Sequence, residues 1–263
     1  MEKKALLFFD VDGTLICEES QSIPQSAVNA IHMAQESGHL IFVNTGRPFS
    51  HIPPEVLAVG FDGYICSCGM QIRIGEKVVQ DVHLTNQQCA NIRDCARLCR
   101  VEMSYESDTG MFYDSTLPIC SESAAERKRL ASQGVLVSSK IDDANFRFEK
   151  FLAWKADAFN LERLLDYIAD EFQIIDRAKF YECLPKGYSK AIAMSKVQQL
   201  LGLQGRKTYA FGDGPNDIEM LRAADVGIVM GNAPEHVKNK ADFVTKRAEQ
   251  GGIEYALRRL QLI

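Results

Sequence analysis

The stretch ALLFFDVDGT, residues 5–14, decides the fold. Five consecutive apolar residues, Ala5–Phe9, run straight into Asp-Val-Asp-Gly. A short unbroken apolar run closed by a turn reads as a strand buried on both faces, the kind found in parallel sheets. Open α/β sheets take their ligands just beyond the carboxyl ends of such strands. Asp10 and Asp12 fall at that position. One carboxylate of such a pair can stay ionised as a nucleophile or metal ligand while the other carries a proton. Taken alone, the pentapeptide also suits a plain Asp-Gly turn.

Outward from this strand the rhythm is α/β. Ser22 and Pro24 open a helix whose inner face is Ala27, Ala30, Ile31 and Ala34, and Gly38 stops it. HLIFVNTG (39–46) reads as a second buried strand and Tyr64–Cys66 as a third. Gln71–Ile74 and Lys77–Asp81 read as a hairpin around Gly75-Glu76. From Leu84 to Pro185 the elements are shorter and more polar. Helices are expected near 85–99, 121–133 and 160–171, the last capped by Asn160, with strands near 101–105, 111–114, 150–155, 173–176 and 179–184. The α/β pattern returns at Lys186, with a helix over Ser189–Leu201 that turns Ala193, Val197, Leu200 and Leu201 inward. Strands KTYAFG (207–212) and Val226–Met230 follow, and Gly251-Gly252 precedes a final helix. The expected fold class is α/β: a Rossmann-like parallel-sheet core from 1–82 and 186–263, with an α+β domain inserted at 83–185.

Three further constellations share the setting of Asp10 and Asp12. Gly212-Asp213-Gly214-Pro215-Asn216-Asp217 follows one buried strand and opens a helix. Carboxylate oxygens of this kind suit a hard cation such as Mg²⁺, although Asp217 would also serve as ordinary first-turn dressing. Asn44-Thr45-Gly46-Arg47 follows another strand and offers a hydroxyl and backbone N–H groups to a phosphate oxygen. Lys190 stands at a helix start, where a cation is unfavourable unless an anion is close.

Composition removes other classes. A net charge of −5 is wrong for a nucleic-acid or anionic-membrane protein. No run approaches the ~20 apolar residues of a membrane span, and Ala5–Phe9 is too short for a secretory core, so a cytoplasmic location is expected. The eight cysteines are expected to be reduced. Neither Cys66-x-Cys68 nor Cys95-x-x-x-Cys99 has the spacing of a zinc knuckle.

The four constellations occur in one order along one chain, and there the sequence resembles the haloacid dehalogenase superfamily. The similarity is to its Cof-like phosphatases, which carry a large cap of the C2 class, here of the C2B kind. DVDGT (10–14) resembles the first motif, NTGR (44–47) the second, Lys190 in KGYSKA the third, and GDGPNDIEML (212–221) the fourth. MGNA at 230–233 is a further feature of that branch. The resemblance implies a phosphatase acting on a small phosphorylated metabolite such as a sugar phosphate. Asp10 would attack phosphorus to give an aspartyl-phosphate, and Asp12 would protonate the leaving oxygen and then activate water. Mg²⁺ would be held by Asp10, the Asp12 backbone carbonyl and Asp213, with Asp217 supporting its waters. Thr45, Gly46, Lys190 and Asn216 would hold the phosphoryl oxygens, and a phosphate would supply the anion that Lys190 requires. The cap would select the substrate. Arg147, Lys150, Lys155 and Arg177 are its candidate anion binders, with solvation the more ordinary role for each; His51 and His83 read as structural or solvated. Cys68-Gly69-Met70 departs from the Asn-Gly-Ala of many relatives, and Ala191 from their glycine. Two rivals share the motifs: a sugar phosphomutase, and a non-catalytic binding protein on the same fold.

Overall fold

The computed structural model describes residues 4–143, 145–156 and 159–263. By its internal contacts the chain forms two units. One comprises Met1–Gly46, Ile52–Gln80 and Ser189–Ile263, the other Arg47–His51 and Asp81–Tyr188. Strands are numbered in chain order. They are β1 Leu6–Phe9, β2 Leu40–Asn44, β3 Gly63–Cys66, β4 Gln71–Ile74, β5 Lys77–Asp81, β6 Met103–Ser107 and β7 Gly110–Tyr113, then β8 Val137–Ser138, β9 Lys150–Trp154, β10 Phe172–Asp176, β11 Phe180–Pro185, β12 Thr208–Gly212, β13 Val226–Val229 and β14 Phe243–Val244.

The first unit is built on a sheet of order β14-β13-β12-β1-β2-β3-β4-β5. Strands β14 to β3 run parallel, and β4 turns back antiparallel to β3. All four residues of β1 are fully buried, as its unbroken apolar run requires. Phe9 is in register with Val43 on one side and Phe211 on the other. The chain leaves β1 for β2 and β3 on one flank and comes back through β12 on the other. The strand order therefore reverses at β1, and the crevice beyond its carboxyl end is the place such sheets reserve for ligands.

Three helix details differ from expectation. The first helix is Gln25–Glu36, with Pro24 at the N-cap and Ser22 outside it; Ala27, Ala30, Ile31 and Ala34 are buried as expected. The helix Lys190–Leu200 buries Lys190, Ala193, Met194 and Val197, while Leu200 is 43% exposed. Its inner stripe passes on to Leu201, which packs against the core from just past the last turn. Asn160 precedes the helix Leu161–Ile168 without a side-chain capping bond, and that helix ends sooner than its apolar spacing suggested.

The second unit is the α+β insertion. Its sheet, β10-β11-β9-β6-β7-β8, is antiparallel except for the β7–β8 pair. Helices Asn86–Cys99, Ser121–Ser132 and Leu161–Ile168 belong to it. Tyr105, Phe148, Phe151 and Phe172 form its core with Ile92, Leu164 and Ile168. Arg47–His51 goes with this unit, and Ser50 Oγ donates to the Ser107 carbonyl at 3.0 Å. Two of the candidate anion binders are taken up in one ion-pair group. Lys150 is buried with its ammonium 2.9 Å from Glu106 and 2.8 Å from Glu182, and Arg177 shares Glu182 at 2.7 Å. Lys155 pairs with Asp176. No helix is long and apolar enough to cross a membrane among the described residues.

Candidate active site

Beyond β1 the chain turns sharply through 10–16, with the Ile16 N–H on the Val11 carbonyl at 2.8 Å and the Gly13 N–H on the Ile16 carbonyl at 2.9 Å. Gly13 has φ +73°, and a Cβ there would lie 2.1 Å from Asp213 Oδ2. Only glycine meets both conditions. The turn leaves Asp10 buried at 4% exposure and Asp12 exposed.

The neighbouring strand β12 supplies the opposing carboxylates. Asp217 is fully buried. Its Oδ2 accepts the backbone N–H groups of Asp213 at 3.0 Å and Gly214 at 2.9 Å, which fixes the loop. Its Oδ1 accepts from Lys190 Nζ at 2.6 Å, and the same ammonium donates to Asp10 Oδ1 at 2.5 Å. The anion that a lysine at a helix start calls for is thus supplied by two carboxylates of the chain itself, so a bound phosphate is not needed to account for it. Two contacts hold the lysine's helix. Ser189 Oγ caps it by accepting the Ile192 N–H at 3.2 Å, and Asn44, at the end of β2, donates to the Lys190 carbonyl at 3.0 Å.

The charges are poorly balanced. Burial alone would lower the Lys190 pKa, but Asp10 and Asp217 raise it above its ordinary value, so it stays an ammonium. Burial, then Asp217, pushes the Asp10 carboxyl well above the usual carboxylate range even though Lys190 pulls the other way. Burial and Asp217 also push Asp213 up to about 7. Desolvated carboxylates around one ammonium favour a further cation. Oxygens of Asp10, Asp213 and Asp217 lie within 4.8 Å of one another, an all-oxygen donor set that fits a hard divalent ion.

Asp213 is oriented from two sides. Thr14 Oγ1 donates to its Oδ1 at 3.3 Å, and Asn232 Nδ2 lies 3.4 Å from its Oδ2. The same Asn232 amide donates to the Gly13 carbonyl at 2.8 Å, and its Oδ1 accepts the Ala248 N–H at 3.2 Å. Asn232 had no role assigned from sequence; its only signal was the MGNA run. Thr45 is buried at the end of β2, its N–H on the Ile65 carbonyl at 2.9 Å. Gly46 and Asn216 are half-buried in the loops after β2 and β12. Asp10, Lys190, Asp213 and Asp217 thus form one cluster, around which the loops after β1, β2 and β12 carry Asp12, Thr45, Gly46 and Asn216. The loop after β3 holds Ser67, Cys68 and Gly69 at φ 48°, 54° and 96°.

The family model of haloacid dehalogenase-like hydrolases matches residues 7–257. The putative phosphatase YkrA of Bacillus subtilis (strain 168) is 29% identical over 269 residues, covering 98% of each chain. The 5-amino-6-(5-phospho-D-ribitylamino)uracil phosphatase YitU of the same strain is 22% identical over 265 residues, covering 95% of each. Among solved structures, the subclass IIB sugar phosphatase BT4131 superposes with a TM-score of 0.84 at 26% identity, over 99% of this chain and 100% of that one.

Proposed function

The chain belongs to the haloacid dehalogenase-like hydrolase family and is a phosphatase of that superfamily, and from this premise we propose that it hydrolyses a sugar phosphate or similar phosphomonoester through an aspartyl-phosphate on Asp10. The observation that carries the reading is the buried Asp10 carboxylate, held through one oxygen by Lys190 and facing Asp213 across the switch point of the sheet.

Asp10 attacks phosphorus through the oxygen that Lys190 does not hold. That oxygen–phosphorus bond forms as the ester oxygen–phosphorus bond breaks, and Asp12 gives its proton to the departing alkoxide. Asp12 then takes a proton from water, whose oxygen attacks the phospho-aspartate and restores the Asp10 carboxylate. Exposure of Asp12 suits a group that must meet both the leaving oxygen and water. Thr45, Gly46, Lys190 and Asn216 bind and orient the phosphoryl oxygens. Asp10, the Asp12 backbone carbonyl and Asp213 would hold a Mg²⁺ ion, which would supply positive charge to the phosphoryl group. Asp217 keeps Lys190 and the β12 loop in place. Residues 83–185 serve as the substrate-selecting cap. The sugar-phosphate class draws its support from BT4131, and the ribitylaminouracil phosphate of YitU is an alternative polyol phosphate for the same test.

The test is phosphate release from a panel of phosphomonoesters, with Mg²⁺ or with chelator, for the native chain and Asp10→Asn. Release that needs Mg²⁺ and falls by at least ~10³-fold in the variant is expected, with the best kcat/KM on a sugar or polyol phosphate. Release that survives in folded Asp10→Asn would sink the nucleophile assignment. Transfer of phosphate to an added sugar in place of release would make the chain a mutase.

A further inference from the structure

A second cluster of metal-binding side chains lies wholly within the α+β unit. His83 stands between β5 and the helix Asn86–Cys99. Its Nδ1 is 3.0 Å from Glu149 Oε1, and its Nε2 is 3.1 Å from Asp81 Oδ2. Asp108, in the β6–β7 turn, brings its carboxylate to the same place; ligand atoms of Asp81, His83 and Asp108 lie within 4.8 Å of one another.

The surroundings of the imidazole make this arrangement informative. Glu149 is 1% exposed, and its Oε1 also accepts the Asp108 N–H at 3.1 Å, so this carboxylate is a fixed acceptor. It holds the ring in place through Nδ1. Nε2 faces a carboxylate oxygen of Asp81 3.1 Å away, with the Asp108 carboxylate close by. The other Glu149 oxygen, Oε2, is buried with no hydrogen-bond partner among the described residues. A ring nitrogen facing the ion while the other donates to a buried carboxylate is the arrangement found around metal-ligating histidines.

We propose that Asp81, His83 Nε2 and Asp108 bind a divalent transition-metal ion of the Zn²⁺ class, with Glu149 as the carboxylate that orients His83. The imidazole favours Zn²⁺ over Mg²⁺, which prefers oxygen throughout. Three protein ligands leave at least one position open, and the cluster borders an open pocket of about 450 Å³ that also exposes Lys140 and Arg147. An anionic ligand or water fits there.

Equilibrium dialysis of the full chain against Zn²⁺ at saturating Mg²⁺, with metal analysis, tests the site independently of the phosphatase reading. One tightly bound Zn²⁺ is expected in the native chain and in Asp213→Asn. His83→Gln and Asp108→Asn are expected to lose it, and Glu149→Gln to bind it 10–100-fold more weakly. Circular dichroism identifies folded variants, and Asp108→Asn stands in if His83→Gln does not fold. No Zn²⁺ on the native chain, equal binding in the His83 and Asp108 variants, or loss in Asp213→Asn alone overturns the proposal.

Discussion

Lys190 shows what a single residue can and cannot disclose. Its place at a helix start signals a nearby anion, and two are present, Asp10 and Asp217. That they are carboxylates of the chain itself was not legible, because residues 180 apart in sequence meet only through the sheet register. Asn232 was missed for the same reason, since its partners Gly13 and Asp213 lie on two other strand ends. Gly13 was legible as a turn glycine, but its closeness to Asp213 was not. Gly13→Ala is therefore expected to displace Asp213 and cut phosphatase kcat by at least ~10²-fold while far-UV circular dichroism is kept. His51 carries a different consequence. Burial first, then Lys150, Arg47 and Arg129, hold its pKa down to about 3, against the weaker pull of Glu126. Between that value and the ordinary 6.5 the unfolded chain binds a proton that the folded chain refuses. The His51 contribution to stability is thus complete above pH 6.5 and declines as pH falls through the window, by on the order of 3 kcal/mol at pH 4. Denaturant midpoints between pH 4 and 7 should show this slope, and His51→Leu should flatten it.

At the scale of elements, legibility followed burial. Strands β1, β2 and β12 are largely apolar runs of four or five residues, and their type could be read directly and their bounds to within two residues. The two-residue strands β8 and β14 have no such signature and were not foreseen. Capping could be read only as a possibility. Thr85 forms a full capping box, with its Oγ1 accepting the Gln88 N–H at 3.2 Å and Gln88 Oε1 accepting the Thr85 N–H at 3.1 Å. Asn160, the residue singled out for capping, forms no such bond because its backbone, φ −135° and ψ 51°, departs from the extended form a cap requires. Thr85→Ala should lower stability by ~1 kcal/mol and Asn160→Ala by no more than a few tenths, a contrast measurable by urea denaturation. The buried group of Lys150, Glu106, Glu182 and Arg177 was hidden for a related reason. Glu106 on β6, Lys150 on β9 and Glu182 on β11 are each the one charge of their strand and look solvated until the strands are paired.

At the scale of the molecule, each unit has its own sheet and its own core. The α+β unit is closed from within: Leu84 donates to the Phe148 carbonyl at 3.3 Å near its start, and Phe172 is in register with Pro185 near its end. The fragment 81–188 is expected to fold alone, with dispersed amide resonances and a cooperative thermal transition; a collapsed spectrum without dispersion would refute this. The α/β unit has no such independence, since its sheet is assembled from segments on either side of the insertion.

That interruption sets an order of events during synthesis. The flank of β1 that pairs with β12 must wait until Thr208–Gly212 has been made, about 200 residues after Leu6. At ordinary ribosomal speeds of ~5–20 residues per second the wait is about 10–40 s. Throughout it, the most apolar strand of the molecule has one bare edge, while the inserted unit is made and closes on itself. The nascent chain is therefore most in need of a holding chaperone before Thr208–Gly212 emerges, and Asp10 meets Lys190 and Asp217 only once the segments that carry them have followed.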